Sequence, residues 1–125
     1  MFKIHHRAIN SVEPFEYLEK TGGEDYTAGE AVVLVGGKVT KCGATAKPDY
    51  IAQGPADNRG LVPCAKVLTT TIFEVPAQAD QSALTAGSKV TLHTDGLQVT
   101  ATTTSGVFKL LRPAAAGKGC VGYFE

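Results

Sequence analysis

Tryptophan is absent from this 125-residue chain, methionine occurs once, and the three cysteines are widely spaced. Cys42, Cys64 and Cys120 form no CxxC pair and are odd in number, so neither a zinc knuckle nor a disulfide scaffold is indicated. Buried free thiols are expected instead. An excess of charge is also lacking: Lys plus Arg and Asp plus Glu are 12 each. A duplex-binding module ordinarily carries a basic surplus, because phosphate neutralisation supplies most of its affinity. Nucleic acid is therefore excluded as the expected partner. A net charge of zero instead suits a protein that packs against others.

No stretch approaches the ~18 apolar residues of a membrane span, and the opening Met1-Phe2-Lys3-Ile4-His5-His6-Arg7 lacks the apolar core of a signal peptide. No membrane and a cytosol-like site of synthesis are the expectations. Catalytic signatures are missing as well: no GxSxG, GxxxxGK[ST] or HExxH occurs. The expectation is no enzyme, no catalytic residue, no cofactor and no metal. Asp57, Asp80 and Asp95 sit among turn residues, where short acceptors bond locally. Gly22-Gly23 and Gly117-Lys118-Gly119 bridge no strand to a helix and read as turns rather than phosphate loops. His5 and His6 are adjacent on an extended segment. Their side chains should point to opposite sides, which makes a shared metal ion a poor reading. His93 is expected on an outward face.

What is present is threonine, valine and glycine. Thr69–Val75, Val90–His93 and Val99–Thr103 are β-branched runs punctuated by frequent glycine and proline. Further strands are expected at Tyr50–Gln53, Cys64–Leu68, Val107–Leu111 and Gly119–Phe124, with a surface loop at 55–60. The fold class is all-β: one small domain, barrel or sandwich.

A repeat runs through the chain. Phe15-Glu16 recurs as Phe73-Glu74, Thr27-Ala28-Gly29 as Thr85-Ala86-Gly87, and Val32-x-Leu34 as Val90-x-Leu92, each 58 positions on. The copies span about 15–42 and 73–101, and each contains a β-hairpin. Asp95-Gly96 reads as the centre of a type I′ turn, pairing Thr94 with Leu97 and Leu92 with Val99. Gly36-Gly37 repeats this, pairing Val35 with Lys38 and Leu34 with Val39. Ser82–Gly87 reads as a short helical turn capped by Ser82.

Residues 1–14 stand outside the repeat and read as an extended arm, with residues 15–125 as the β domain. Phe2, Ile4, His5, His6, Arg7, Ile9 and Val12 are the candidate contacts to a neighbouring subunit. Two roles are open. The arm adds to the sheet edge of a neighbour, and removing residues 2–12 then leaves the domain's melting nearly unchanged. Or it folds back as the domain's own edge strand.

Tyr26–Cys42, then Pro48-Asp49-Tyr50-Ile51, Leu61–Val67, Thr71–Glu74 and Lys89–Thr103 together resemble the small structural proteins encoded beside the major capsid protein of tailed bacteriophages. Ile4–Ser11 fits the start of such proteins. The resemblance covers nearly the whole chain and rests on turn-and-strand patterns. It implies a capsid decoration protein, which binds the outside of the expanded head and stabilises it. The implied partner is the major capsid protein, and the implied place is the virion surface, with host cytoplasm before assembly. The implied state is a homo-oligomer, with a trimer favoured over single copies at capsomer centres. The alternatives are a carbohydrate- or receptor-binding β module, or a head or tail completion subunit.

Overall fold

A computed structural model describes residues 1–9 and 12–125; Asn10 and Ser11, which fall in the expected arm, lie outside the described residues. The chain is all-β, and no described residue is helical. Ten strands form in order: β1 Lys3–Arg7, β2 Glu16–Lys20, β3 Ala31–Val35, β4 Lys38–Lys41, β5 Tyr50–Ala52, β6 Leu61–Lys66, β7 Thr71–Pro76, β8 Lys89–Val90, β9 Phe108–Arg112 and β10 Gly119–Phe124. β2-β4-β3-β5-β6 close into a barrel, and β1-β7-β10-β9-β8 form a second sheet. Two isolated bridges, Ala77 parallel to Val99 and Leu92 antiparallel to Val99, link the outer parts of that sheet through Val99.

The two halves share their hydrogen-bond pattern. Val32 pairs with Tyr50 as Val90 pairs with Phe108, and Tyr50 pairs with Lys66 as Phe108 pairs with Phe124. Glu16 faces Cys64 as Phe73 faces Gly122. The Gly29 N–H donates to the Ala52 carbonyl and the Gly87 N–H to that of Leu110, both at 2.7 Å. Lys20 runs parallel to Val39 as Ala77 does to Val99. The spacing between equivalents is 58 through the middle strands, but Glu16 corresponds to Phe73 rather than Phe15 doing so. A one-residue shift in a strand exchanges its faces, so this register decides which side chains point inward.

The interiors follow from that register. Tyr26, Val32, Val39, Tyr50, Ala52, Val62 and Cys64 fill the barrel. Their counterparts Val90, Val99, Phe108, Leu110 and Cys120 lie in the second cluster, against which Leu84, the counterpart of Tyr26, is packed. That cluster also takes in Ala31, Cys42, Ile51 and Val67 from the barrel's outer surface, so the two halves share one core. Apolar burial across this seam makes a single cooperative domain the favourable arrangement.

The first hairpin has the expected register, Val35 with Lys38 and Leu34 with Val39. Gly36 and Gly37 both have positive φ, 59° and 82°, as a type I′ turn demands. The second hairpin keeps Leu92 opposite Val99, yet its turn differs from expectation. The Gly96 N–H donates to the His93 carbonyl, so Thr94 and Asp95 are the central residues, and only Gly96 has positive φ (71°). This is not a type I′ turn. The Asp95 side chain holds it instead, accepting from the Leu97 N–H at 2.8 Å, while the Gly96 carbonyl accepts from the Ala31 N–H of the barrel. Ser82–Gly87 is likewise corrected: two successive turns replace the helical turn, and Asp80, not Ser82, supplies the accepting oxygen.

Candidate interaction surface

The N-terminal segment takes the second of its two open roles. β1 pairs antiparallel with β7 of its own chain, Lys3 opposite Glu74 and Arg7 opposite Thr71, so residues 3–7 are the domain's own edge strand. Phe2 is 4% exposed and sits among Phe73, Phe108 and Phe124, with ring centroids 5.4–5.9 Å away. The cause is apolar burial: an aromatic side chain with three rings to pack on does not stay in water. Phe2 is thereby removed from the candidate contacts. Arg7 is engaged as well, in a two-pronged pair with Glu13 at 2.8 and 3.0 Å. Ile4, Ile9 and Val12 remain exposed.

His5 and His6 do not diverge. A bulge in β1 between Ile4 and His6 puts both rings together, with Nδ1 atoms 2.8 Å apart. The extra residue breaks the alternation that a regular strand would impose. No group of three or more possible metal ligands occurs among the described residues. His93 is half-buried against Asp95 at 3.2 Å, at the base of the second turn.

The thiols are poor nucleophiles. Cys42, Cys64 and Cys120 are free and buried. Burial pushes Cys42 up to about 12, and Cys64 and Cys120 up to about 11. Thiolate, the reactive form, is therefore scarce at neutral pH. The other polar clusters are structural. Glu24 accepts from the Tyr26 hydroxyl, the Thr40 hydroxyl and the Lys41 N–H, fastening the 21–26 loop to β4. Burial alone would raise the Glu24 carboxyl, but these donors outweigh it and hold it below its ordinary value. Glu30, which is buried, pairs with Lys41 at 2.8 Å and accepts from the Thr27 N–H. Gln81 is fully buried and ties the Thr100 carbonyl to the Ala114 N–H. Nothing in the local sequence marks Glu30 or Gln81 as buried, since both lie in turn-rich segments that read as surface.

The most prominent exposed apolar surface lies on the barrel. Val35 pairs with Lys38, and Lys38 lies beside Glu19, which places these three in a row across β3, β4 and β2. Tyr17 and Phe15 continue the row along the outward face of β2, because side chains two apart share a face. Val35, Tyr17 and Phe15 are each more than half exposed. Such a band of large apolar side chains with one cation and one anion is suited to covering by a protein. The sequence repeat flagged Phe15 as the match of Phe73, a core residue; the one-residue shift turns Phe15 outward instead.

No protein-family model matches this chain, and no curated protein is significantly similar to it.

Proposed function

We propose that this chain is a virion structural protein that binds the outer surface of an expanded bacteriophage head and stabilises it. The major capsid protein is the partner, the virion surface is its place, and a homo-oligomer, a trimer in the first instance, is the working form. The observation that carries this reading is the outward row Val35, Lys38, Glu19, Tyr17 and Phe15 on the barrel. It is an exposed face built on paired strands, and a cement protein needs such a face more than a cleft. Two further features support it. The turn-and-strand patterns resemble those of decoration proteins over nearly the whole chain. Among the described residues the polar side chains around Glu24 converge to close loops, and burial keeps the three thiols in their protonated form.

Co-sedimentation with expanded, undecorated heads tests the proposal. Saturable binding that raises the temperature at which the heads rupture is the expected result. Heads that pellet without the protein, at concentrations well above those of a specific complex, would overturn it.

A further inference from the structure

The two halves of the chain differ at one equivalent place. β7 is flanked on one side by β10 and on the other by β1. Its counterpart β2 is flanked by β6 on the matching side, and on the other only its last residues, Glu19 and Lys20, meet β4. Among the described residues, no strand runs beside Phe15–Tyr17 where β1 runs beside Ile72–Glu74. We propose that this open edge of β2 is a strand-acceptor site, filled by an extended segment of a partner protein that alternates apolar and cationic side chains.

The backbone is oriented for it. The Gln53 N–H takes the Pro63 carbonyl, and proline has no N–H, so Tyr17 opposite Pro63 bonds nothing across β6. The N–H and carbonyl of Tyr17, and of Phe15 two residues earlier, therefore face the open side. In the other half the matching positions, Ile72 and Glu74, lie opposite His6 and Lys3 of β1. Side-chain exposure reports the same difference. Ile72, with β1 beside it, is 9% exposed, and its counterpart Phe15 is 51% exposed.

Charge selects the occupant. Glu16 lies in the middle of this edge and, unlike Glu13 on Arg7 and Glu19 beside Lys38, has no ion-pair partner among the described residues, so antiparallel pairing of two β2 strands about Glu16 would set two such carboxylates opposite each other. A second copy of β2 is thereby disfavoured, whereas a cationic strand is favoured. The position held by Phe2, just ahead of β1, is the informative one. Phe2 packs on Phe73, whose counterpart is Glu16, and the neighbouring Phe108 and Phe124 correspond to Tyr50 and Lys66. Glu16 is exposed and accepts from the Tyr50 hydroxyl at 3.2 Å. An arginine or lysine at the place equivalent to Phe2 would meet that carboxylate.

The test uses the intact chain, isotopically labelled, and two octapeptides: Met-Phe-Lys-Ile-His-His-Arg-Ala, the sequence of residues 1–8, and the same peptide with arginine in place of phenylalanine. The expected result is shift changes and slowed hydrogen exchange at the Phe15 and Tyr17 amides, with the arginine peptide binding more tightly. Tyr17→Pro removes an N–H that faces away from β6, so the barrel keeps its pairing while strand addition is blocked. Its affinity for the arginine peptide should fall about tenfold or more. Tyr17→Val, which keeps the N–H, should retain binding. No change at Phe15 and Tyr17 with either peptide at millimolar concentration would overturn the proposal. So would equal binding by a folded Tyr17→Pro chain, or tighter binding of the phenylalanine peptide.

Discussion

Phe2→Ala should destabilise the domain by about 3–5 kcal/mol, the range for emptying a well-packed aromatic site. Phe2 is 4% exposed and its ring touches three others, two of them edge-on, which adds to the loss from area alone. Relaxation will not repair the gap cheaply. Phe73, Phe108 and Phe124 belong to three different strands, and Phe73–Phe124 and Phe108–Phe124 already pack at 5.8 and 5.0 Å. For a domain of this size each kcal/mol moves the melting midpoint by about 4 °C, so a fall of about 12–20 °C is expected. Thermal unfolding followed by circular dichroism or calorimetry reads it, with Val12→Ala as the control, which should change stability by no more than about 0.5 kcal/mol. A Phe2→Ala midpoint within about 3 °C of the parent would refute the reasoning, because it would mean that β1 contributes nothing in solution. The same logic reverses an expectation from the sequence: removing residues 2–12 strips an edge strand and an aromatic plug, and should destabilise the domain rather than leave it intact.

Three other outcomes follow from the geometry. Gly96→Val should cost about 1–3 kcal/mol, because a β-branched residue resists a φ of 71° and its Cβ would approach Glu30 Cγ to 3.0 Å and the Ala31 carbonyl to 3.3 Å; an unchanged midpoint in thermal unfolding would contradict this. The carboxyls of Glu24, Asp95 and Glu13 are all held below their ordinary values, the first two by hydrogen-bond donors that outweigh burial and the third chiefly by the Arg7 hydrogen bond. Their contribution is present above the unfolded carboxyl range near pH ~4 and is lost as pH falls through the folded values, so denaturant midpoints should drop on acidification. Thr40→Val should lessen that acid sensitivity by removing one donor to Glu24, and a variant with the parent's acid profile would show that this bond does not shift the carboxyl. The three thiols should react with a disulfide reagent only slowly in the folded chain at neutral pH and at once in denaturant; because burial raises them from 9.0 to about 11–12, the stability linked to their protonation is intact below pH 9 and declines above it.

Several features of this molecule were determined by local sequence alone. The β-branched run Thr69–Val75 specifies a strand, β7 at Thr71–Pro76, and Gly119–Phe124 forms over the expected residues, whereas the runs Val90–His93 and Val99–Thr103 keep only Val90 in β8 and isolated bridges at Leu92 and Val99. Gly36-Gly37 specifies a type I′ turn because few other pairs tolerate two positive φ angles, and that turn sets the register of β3 and β4 without help from the rest of the chain. Apolar thiols within strands specify their own burial. The spacing of 58 was readable because the duplicated residues are the ones that turns and interior positions require.

The tertiary structure decided what depends on distant partners. Asp95-Gly96 has the composition of a type I′ turn, but docking of the Gly96 carbonyl on the Ala31 N–H favours a different turn with the same strand register. Glu30 and Gln81 are polar residues in turn-rich segments, and they are buried only because another loop or strand closes over them. Phe15 and Phe73 share a residue type and a spacing, yet one faces water and the other the core, because pairing with β6 and β10 is shifted by one residue. The N-terminal segment was undecided between two strand partners, since backbone hydrogen bonding offers the same groups to any edge. The aromatic cluster awaiting Phe2 resolves that choice, and no local pattern in residues 1–14 reveals that Phe73, Phe108 and Phe124 will converge there.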